Sequence, residues 1–228
     1  MALQKQEQAS LLSDYNTNST YSLAYTEIIA NIRFSLDAAQ KQPQAIVLAS
    51  PTSEHEPGLT ATNLAIAAAQ NGLPTLLVDA NLQTPHIQQC FGIGQTSGLS
   101  DLLASFNKES QQIEQYVRPT FLPELSLLSA GTLSLSSQET SRLLMRHIDE
   151  AIQALKAYMA ARYPGLSLLI LHGAPVLTGV NASLLAAHAD QTYLLITKGQ
   201  TTRTQARNAL QHLERTHTTV AGTILLDV

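Results

Sequence analysis

The chain has 228 residues, of which 44% are apolar and only 13% charged, and a formal net charge of −4. That is enough apolar matter for one large domain or two small ones, while the charged share is about half the usual one. Without a long basic run, a nucleic-acid surface is not expected, because phosphate backbones require clustered Lys and Arg.

The opening stretch MALQKQEQASLLSDYNTNST is polar and has no signal-peptide apolar core. Residues 1–21 read as a flexible lead-in, and the protein as cytoplasmic. Ser22–Leu36 then reads as a helix, and Ala45–Ala49 as a short strand. Thr60–Asn71 carries apolar residues at helical spacing and ends at Gly72, a C-cap candidate. Further strands are expected at Thr75–Asp79, Leu125–Leu128, Leu168–Leu171, Thr192–Thr197 and Val220–Leu225. Further helices are expected at Gln138–Arg162, Asn181–His188 and Thr202–Arg215. The polar stretch Asn107–Gln115 reads as an exposed excursion. No apolar run reaches the roughly 20 residues of a membrane span. Cys90 is the sole cysteine. It excludes an internal disulfide and a Cys-based zinc site, and reads as a small buried hydrophobe.

Most strand candidates are continuous apolar runs, which fits strands covered on both faces. Strand and helix alternate over residues 22–228. The expected fold is therefore one α/β domain with a central, mostly parallel sheet between two helical layers. Ligands of such folds bind outside the carboxyl ends of the strands. The residues that follow Ala49, Asp79 and Leu171 are thus the first candidates for a site.

Those places carry a family likeness. Ser50-Pro51, Asn63-Leu64-Ala65, Leu76-Leu77-Val78-Asp79-Ala80, Leu82, Pro85, Phe91-Gly92 and Gly98 through Leu103 occur in order. They are followed by LLILHGAPVL and GTILLDV. The set resembles the nucleotide-binding domain of bacterial tyrosine kinases of exopolysaccharide and capsule synthesis, which are similar to MinD/ParA-type P-loop ATPases. The resemblance runs from about residue 22 to residue 228. It implies a P-loop NTPase-like α/β/α fold, an ATP–magnesium site and protein partners.

The departures fall on the residues that perform the family's chemistry. A phosphate loop works through glycine backbone N–H groups and one lysine. Aligned from Asn63 backwards, the lysine position is Pro57, the flanking glycines are Glu54 and Glu56 around His55, and the magnesium-binding hydroxyl is Gly58. A slip of two residues restores a hydroxyl at Thr60 but puts Leu59 in the lysine position. No lysine lies between Lys41 and Lys108. The second motif keeps Asp79 but has Asn81 in place of its second aspartate. The third motif has His172 at the Walker B aspartate. The base-reading asparagine position is Leu226. The charged oligomerisation motif of the first helix aligns with Leu23, Thr26 and Ile29, leaving an apolar Leu23/Ile29 face that packs on its own domain or on a partner.

Blander readings accompany each residue. His172 fills a vacated site or acts as a base or ligand. Asp79 hydrogen-bonds its own loop or holds a cation. Glu54-His55-Glu56 forms a solvated loop or a metal site, and the loop is favoured because adjacent residues rarely converge on one ion. His212 and His217 read as surface residues, and Arg203 and Arg207 as a solvated face. No catalytic residue and no metal site are therefore assigned.

The expected function is that of a pseudoenzyme, a catalytically inactive kinase relative serving as a binding or regulatory module in polysaccharide synthesis or export. ATP and magnesium binding are expected to be lost or weak. The resemblance implies a partner such as a membrane polysaccharide chain-length regulator or an active kinase paralogue, with homo-oligomers also possible and recruitment to the inner membrane face through the partner. The alternative is a nucleotide-binding tyrosine kinase or MinD-like ATPase with an unconventional phosphate loop. A membrane-associated scaffold is disfavoured, since no basic amphipathic helix closes the chain.

Overall fold

The apolar runs of the sequence become the strands of one seven-stranded sheet. The computed structural model describes residues 11–12, 17–36, 42–53, 57–106, 112–216 and 218–227. In chain order the elements are α1 (Thr20–Ser35), β1 (Gln44–Ala49), α2 (Pro57–Gln70), β2 (Thr75–Asp79), α3 (Ile87–Cys90), α4 (Leu99–Ser105), β3 (Val117–Pro119), β4 (Leu125–Leu128), α5 (Ser137–Arg162), β5 (Leu168–His172), α6 (Asn181–Ala187), β6 (Gln191–Thr197), α7 (Arg203–Glu214) and β7 (Val220–Leu226). The strand order is β3-β4-β2-β5-β1-β6-β7. All neighbours are parallel except β3, which pairs antiparallel with β4. The expected three-layer architecture is therefore observed.

The period-two alternation of a strand assigns each side chain to a layer. Ala45, Val47 and Ala49 of β1 face one core with Leu144, Ile148 and Ile152 of α5. Ile46 and Leu48 face the other, with Ile29 and Ile32 of α1 and Leu64 of α2. Burial on both faces explains why these strands read as unbroken apolar runs.

Helix ends follow local chemistry. Ser136 and Glu139 form a capping box at the start of α5, and Thr202 and Gln205 form another at α7. Beyond α2, Gly72 has φ +71° and Leu73 N–H donates to Ala68 O at 3.0 Å, the glycine-dependent stop expected there. The start of α2 lies three residues earlier than the periodicity implied. Pro57 takes its first position, where a missing N–H costs nothing to the helix and a fixed φ helps.

Several expectations change. Cys90 is half-buried rather than buried, with its Sγ 3.8 Å from His86 O. Within the lead-in, Leu12 is 1% exposed and packed in the core under α1 and α2. Ile113, in the polar excursion, is buried in a 3-10 turn, while residues 107–111 lie outside the described set. Of the three altered positions on α1, Ile29 packs into its own domain, whereas Leu23 is 53% exposed. Among the described residues, no helix is long and apolar enough to cross a membrane.

Candidate functional site at the carboxyl ends of the central strands

The candidate residues converge where the sheet topology places them. β1, β2 and β5 lie side by side in the centre, and their carboxyl ends lead into Ser50, Ala80 and Gly173. Leu77 and Asp79 of β2 share a face, as do Ile170 and His172 of β5. That face carries the α1 and α2 layer, so both polar side chains point to the layer of the loop helix.

Asp79 is fully buried. Its Oδ1 accepts the Asn81 N–H at 3.3 Å, and its Oδ2 accepts those of His86 and Ile87, each at 3.1 Å. Burial pushes its pKa up to about 6, with these N–H donors and the nearby His86 opposing the rise. Asn81 turns towards its own loop: its Nδ2 donates to Thr84 Oγ1 at 2.9 Å, and its Oδ1 accepts the Thr84 N–H at 3.4 Å. The loop after β2 is thus closed upon itself by the very side chains that the resemblance assigns to a metal.

His172 is 3% exposed. Burial, with His86 acting in the same direction, lowers its pKa to about 4, so the ring is neutral at pH 7. Its Nδ1 is buried without a hydrogen-bond partner among the described residues. A Cβ built on Gly58 would lie 3.5 Å from His172 Nε2. The imidazole therefore rests against the bare Cα where a hydroxyl-bearing side chain would begin. Ser50 Oγ, just beyond the end of β1, is a second buried polar atom without a partner among the described residues. Thr60 is buried and Leu59 half-buried in the first turn of α2.

Glu54, His55 and Glu56 lie outside the described residues. Leu226 ends β7, packs in the α1 and α2 core and accepts the Lys198 N–H at 2.8 Å. His86 was not singled out from sequence, and Ser50 only as a residue of the likeness that follows Ala49. His86 offered no signal, because an exposed imidazole seven residues beyond Asp79 has no motif of its own. His212, Arg203 and Arg207 are exposed as expected, and His217 lies outside the described set. Among the described residues, no group of three or more His, Cys, Asp or Glu side chains is placed to hold a metal ion.

A magnesium–triphosphate would need a cation, a hydroxyl and free carboxylate oxygens at this place. Pro57 supplies neither charge nor N–H. Gly58 has no hydroxyl, His172 offers a neutral nitrogen to a cation that prefers oxygen, and both Asp79 oxygens are engaged by backbone. Of the lysines described, Lys156 pairs with Asp190 at 2.6 Å near the amino end of β1, and Lys198 with Asp227 at 2.6 Å beyond β6. These residues do not fit a magnesium-bound nucleotide.

Compared with known proteins, the chain matches no family model. It is 27% identical over 230 residues to the tyrosine-protein kinase YwqD of Bacillus subtilis, covering 99% of this chain and 90% of that protein. The chain is a relative of the bacterial tyrosine-protein kinases. It is also 23% identical over 202 residues to CpsD of Streptococcus agalactiae, with 88% and 81% coverage. Against the longer EpsB of Ralstonia solanacearum the identity is 26%, and the match spans only 25% of that protein. Among solved structures, the chimerical protein CapA2B2 superposes with a TM-score of 0.80 at 23% identity over 98% of this chain and 92% of that one. The BceF tyrosine kinase domain superposes at 0.76 with 25% identity, covering 96% and 82%. MinD of Pyrococcus horikoshii, complexed with Mg-ADP, superposes at 0.62 with 19% identity, covering 80% and 70%. The fold is thus that of the P-loop kinase domains and of MinD.

Proposed function

We propose that this chain is a catalytically inactive relative of the bacterial tyrosine kinases that serves as a binding or regulatory module. The observation that carries the reading is the packing of the neutral His172 ring on Gly58. In phosphoryl transfer, lysine and magnesium supply most of the charge stabilisation, and this arrangement favours neither. Pro57, Asn81 and Leu226 add to the reading, each replacing the residue the resemblance requires.

The resemblance supports a role for such a module in exopolysaccharide or capsule synthesis. Its partner there is the cytoplasmic end of a polysaccharide chain-length regulator or an active kinase paralogue, which would bring it to the inner face of the membrane. Glycosyltransferase genes beside this one would support the pathway; chromosome-partition genes would speak against it.

A fluorescent ATP analogue titrated onto the full chain, with and without magnesium, tests the reading. No magnesium-dependent binding is expected in the micromolar range, and such binding would refute it. The second reading, a nucleotide binder with an unconventional loop, draws on Ser50 Oγ and His172 Nδ1, which have no partner among the described residues. It calls for saturable binding that magnesium does not strengthen.

A further inference from the structure

Asn63 sits in the middle of α2, fully buried. Its Oδ1 accepts the backbone N–H of Leu12 at 2.8 Å, and its Nδ2 donates to the Tyr21 hydroxyl at 2.9 Å. Leu12 is itself buried, in the same core layer as Tyr25 and Ile29 of α1 and Leu64 of α2. The amide thus finds its partners outside the sheet, from the chain before α1 and from the first turn of α1. Removing Leu12 from its seat would leave a buried carbonyl oxygen without a donor, a costly state in a low-dielectric layer.

We propose that Leu12 and Asn63 form a latch. The chain at Leu12 is a strap that fastens α1 onto α2, the helix whose first turn adjoins the candidate site. Releasing the strap loosens both helices and leaves the sheet in place. The sheet resists because β1, β2 and β5 are each paired on both sides, and their other face is covered by α5 and α6. α1, by contrast, rests on one face of the domain, with Leu23 and Phe34 turned to solvent. A partner that draws on the N-terminal segment would then act on α2 from behind, without entering the loop. The latch stands whether or not a nucleotide binds.

Hydrogen exchange followed by mass spectrometry on the full chain tests this. Asn63→Leu keeps the approximate volume and removes both hydrogen bonds. Exchange in residues 17–36 and 58–70 is expected to rise about tenfold, with β1, β2 and β5 unchanged. Tyr21→Phe, which removes only the outer bond, should give a smaller rise in the same segments. Unchanged exchange in α1 and α2, or a rise spread equally over the sheet, would overturn the proposal. Should Asn63→Leu fail to fold, Tyr21→Phe and Leu12→Ala carry the same test, since each leaves the Asn63 side chain in place.

Discussion

Asp79 and His172 are register partners on neighbouring parallel strands, and the N–H of Ala80 donates to His172 O at 2.8 Å. Both side chains lie on the α2 face, and burial drives both towards their neutral forms. For the carboxyl this means a pKa raised to about 6, and for the imidazole one lowered to about 4. The two titrations therefore act in opposite directions on stability over nearly the same pH range.

The first prediction concerns that opposition. The raised Asp79 contributes stability that is full below its unfolded value of 3.8 and lost as the pH rises through about 6. The depressed His172 contributes stability that is present above its unfolded value of 6.5 and lost as the pH falls through about 4. Together they nearly cancel between those limits. In His172→Leu, the unfolding free energy from urea titration relative to wild type should fall as the pH rises from 4 to 6, by on the order of 1 kcal/mol per pH unit. Asp79→Asn should show the reverse slope. Profiles parallel to wild type in both variants would contradict the assignment.

Restoring the family's carboxylate at the third motif should harm the protein. His172→Asp sets a second carboxyl beside Asp79 in a buried layer, with no described cation to offset it. A loss of about 3 kcal/mol is expected at pH 7, read as a lower denaturation midpoint that millimolar magnesium does not recover. Recovery by magnesium would mean that the metal site is still competent.

The Gly98-Leu99-Ser100-Asp101 stretch is a packing device. A Cβ on Gly98 would collide with Ser129 O, a backbone atom with no freedom to move aside. Asp101 Oδ2 accepts the N–H groups of Gly98 at 2.9 Å and Thr132 at 2.8 Å, which ties α4 to the end of β4. Gly98→Ala should cost about 3 kcal/mol or more. At Gly222 the added Cβ meets Tyr193 at an ordinary 3.6 Å, so Gly222→Ala should stay within about 0.5 kcal/mol of wild type. Equal effects in thermal denaturation would refute the distinction.

Asp190 does more than pair with a lysine. Its Oδ2 accepts the buried Ala45 N–H at 2.6 Å as well as Lys156 Nζ at 2.6 Å. Lys156→Met removes only a partly exposed ion pair, worth about 1 kcal/mol or less. Asp190→Ala also leaves the Ala45 N–H without its acceptor, and should cost about 2 kcal/mol. A larger loss for Lys156→Met would reverse this account.

The layering was legible in the sequence because burial has a period. Runs such as Ala45–Ala49 mark strands covered on both faces, and the stripe of Leu144, Ile148 and Ile152 marks a helix with one buried side. The antiparallel β3 was not legible, since three residues, one of them Pro119, carry no period. The early start of α2 was missed for a related reason. Pro57 reads as a breaker by composition, and only its place at the first helical position makes it a helix starter.

By itself the sequence determined which residue types stand at each motif position: Pro57 without charge, Gly58 without a hydroxyl, and His172 without carboxylate oxygens. Chemistry of that kind is local, carried by one side chain at a time. Only the tertiary structure decided where those side chains point. It turned the Asp79 oxygens to the N–H groups of Asn81, His86 and Ile87, laid His172 against Gly58, and joined Leu12 to Asn63 across 51 residues. Such contacts depend on which backbone groups remain unpaired once the layers close, and no periodicity along the chain records that.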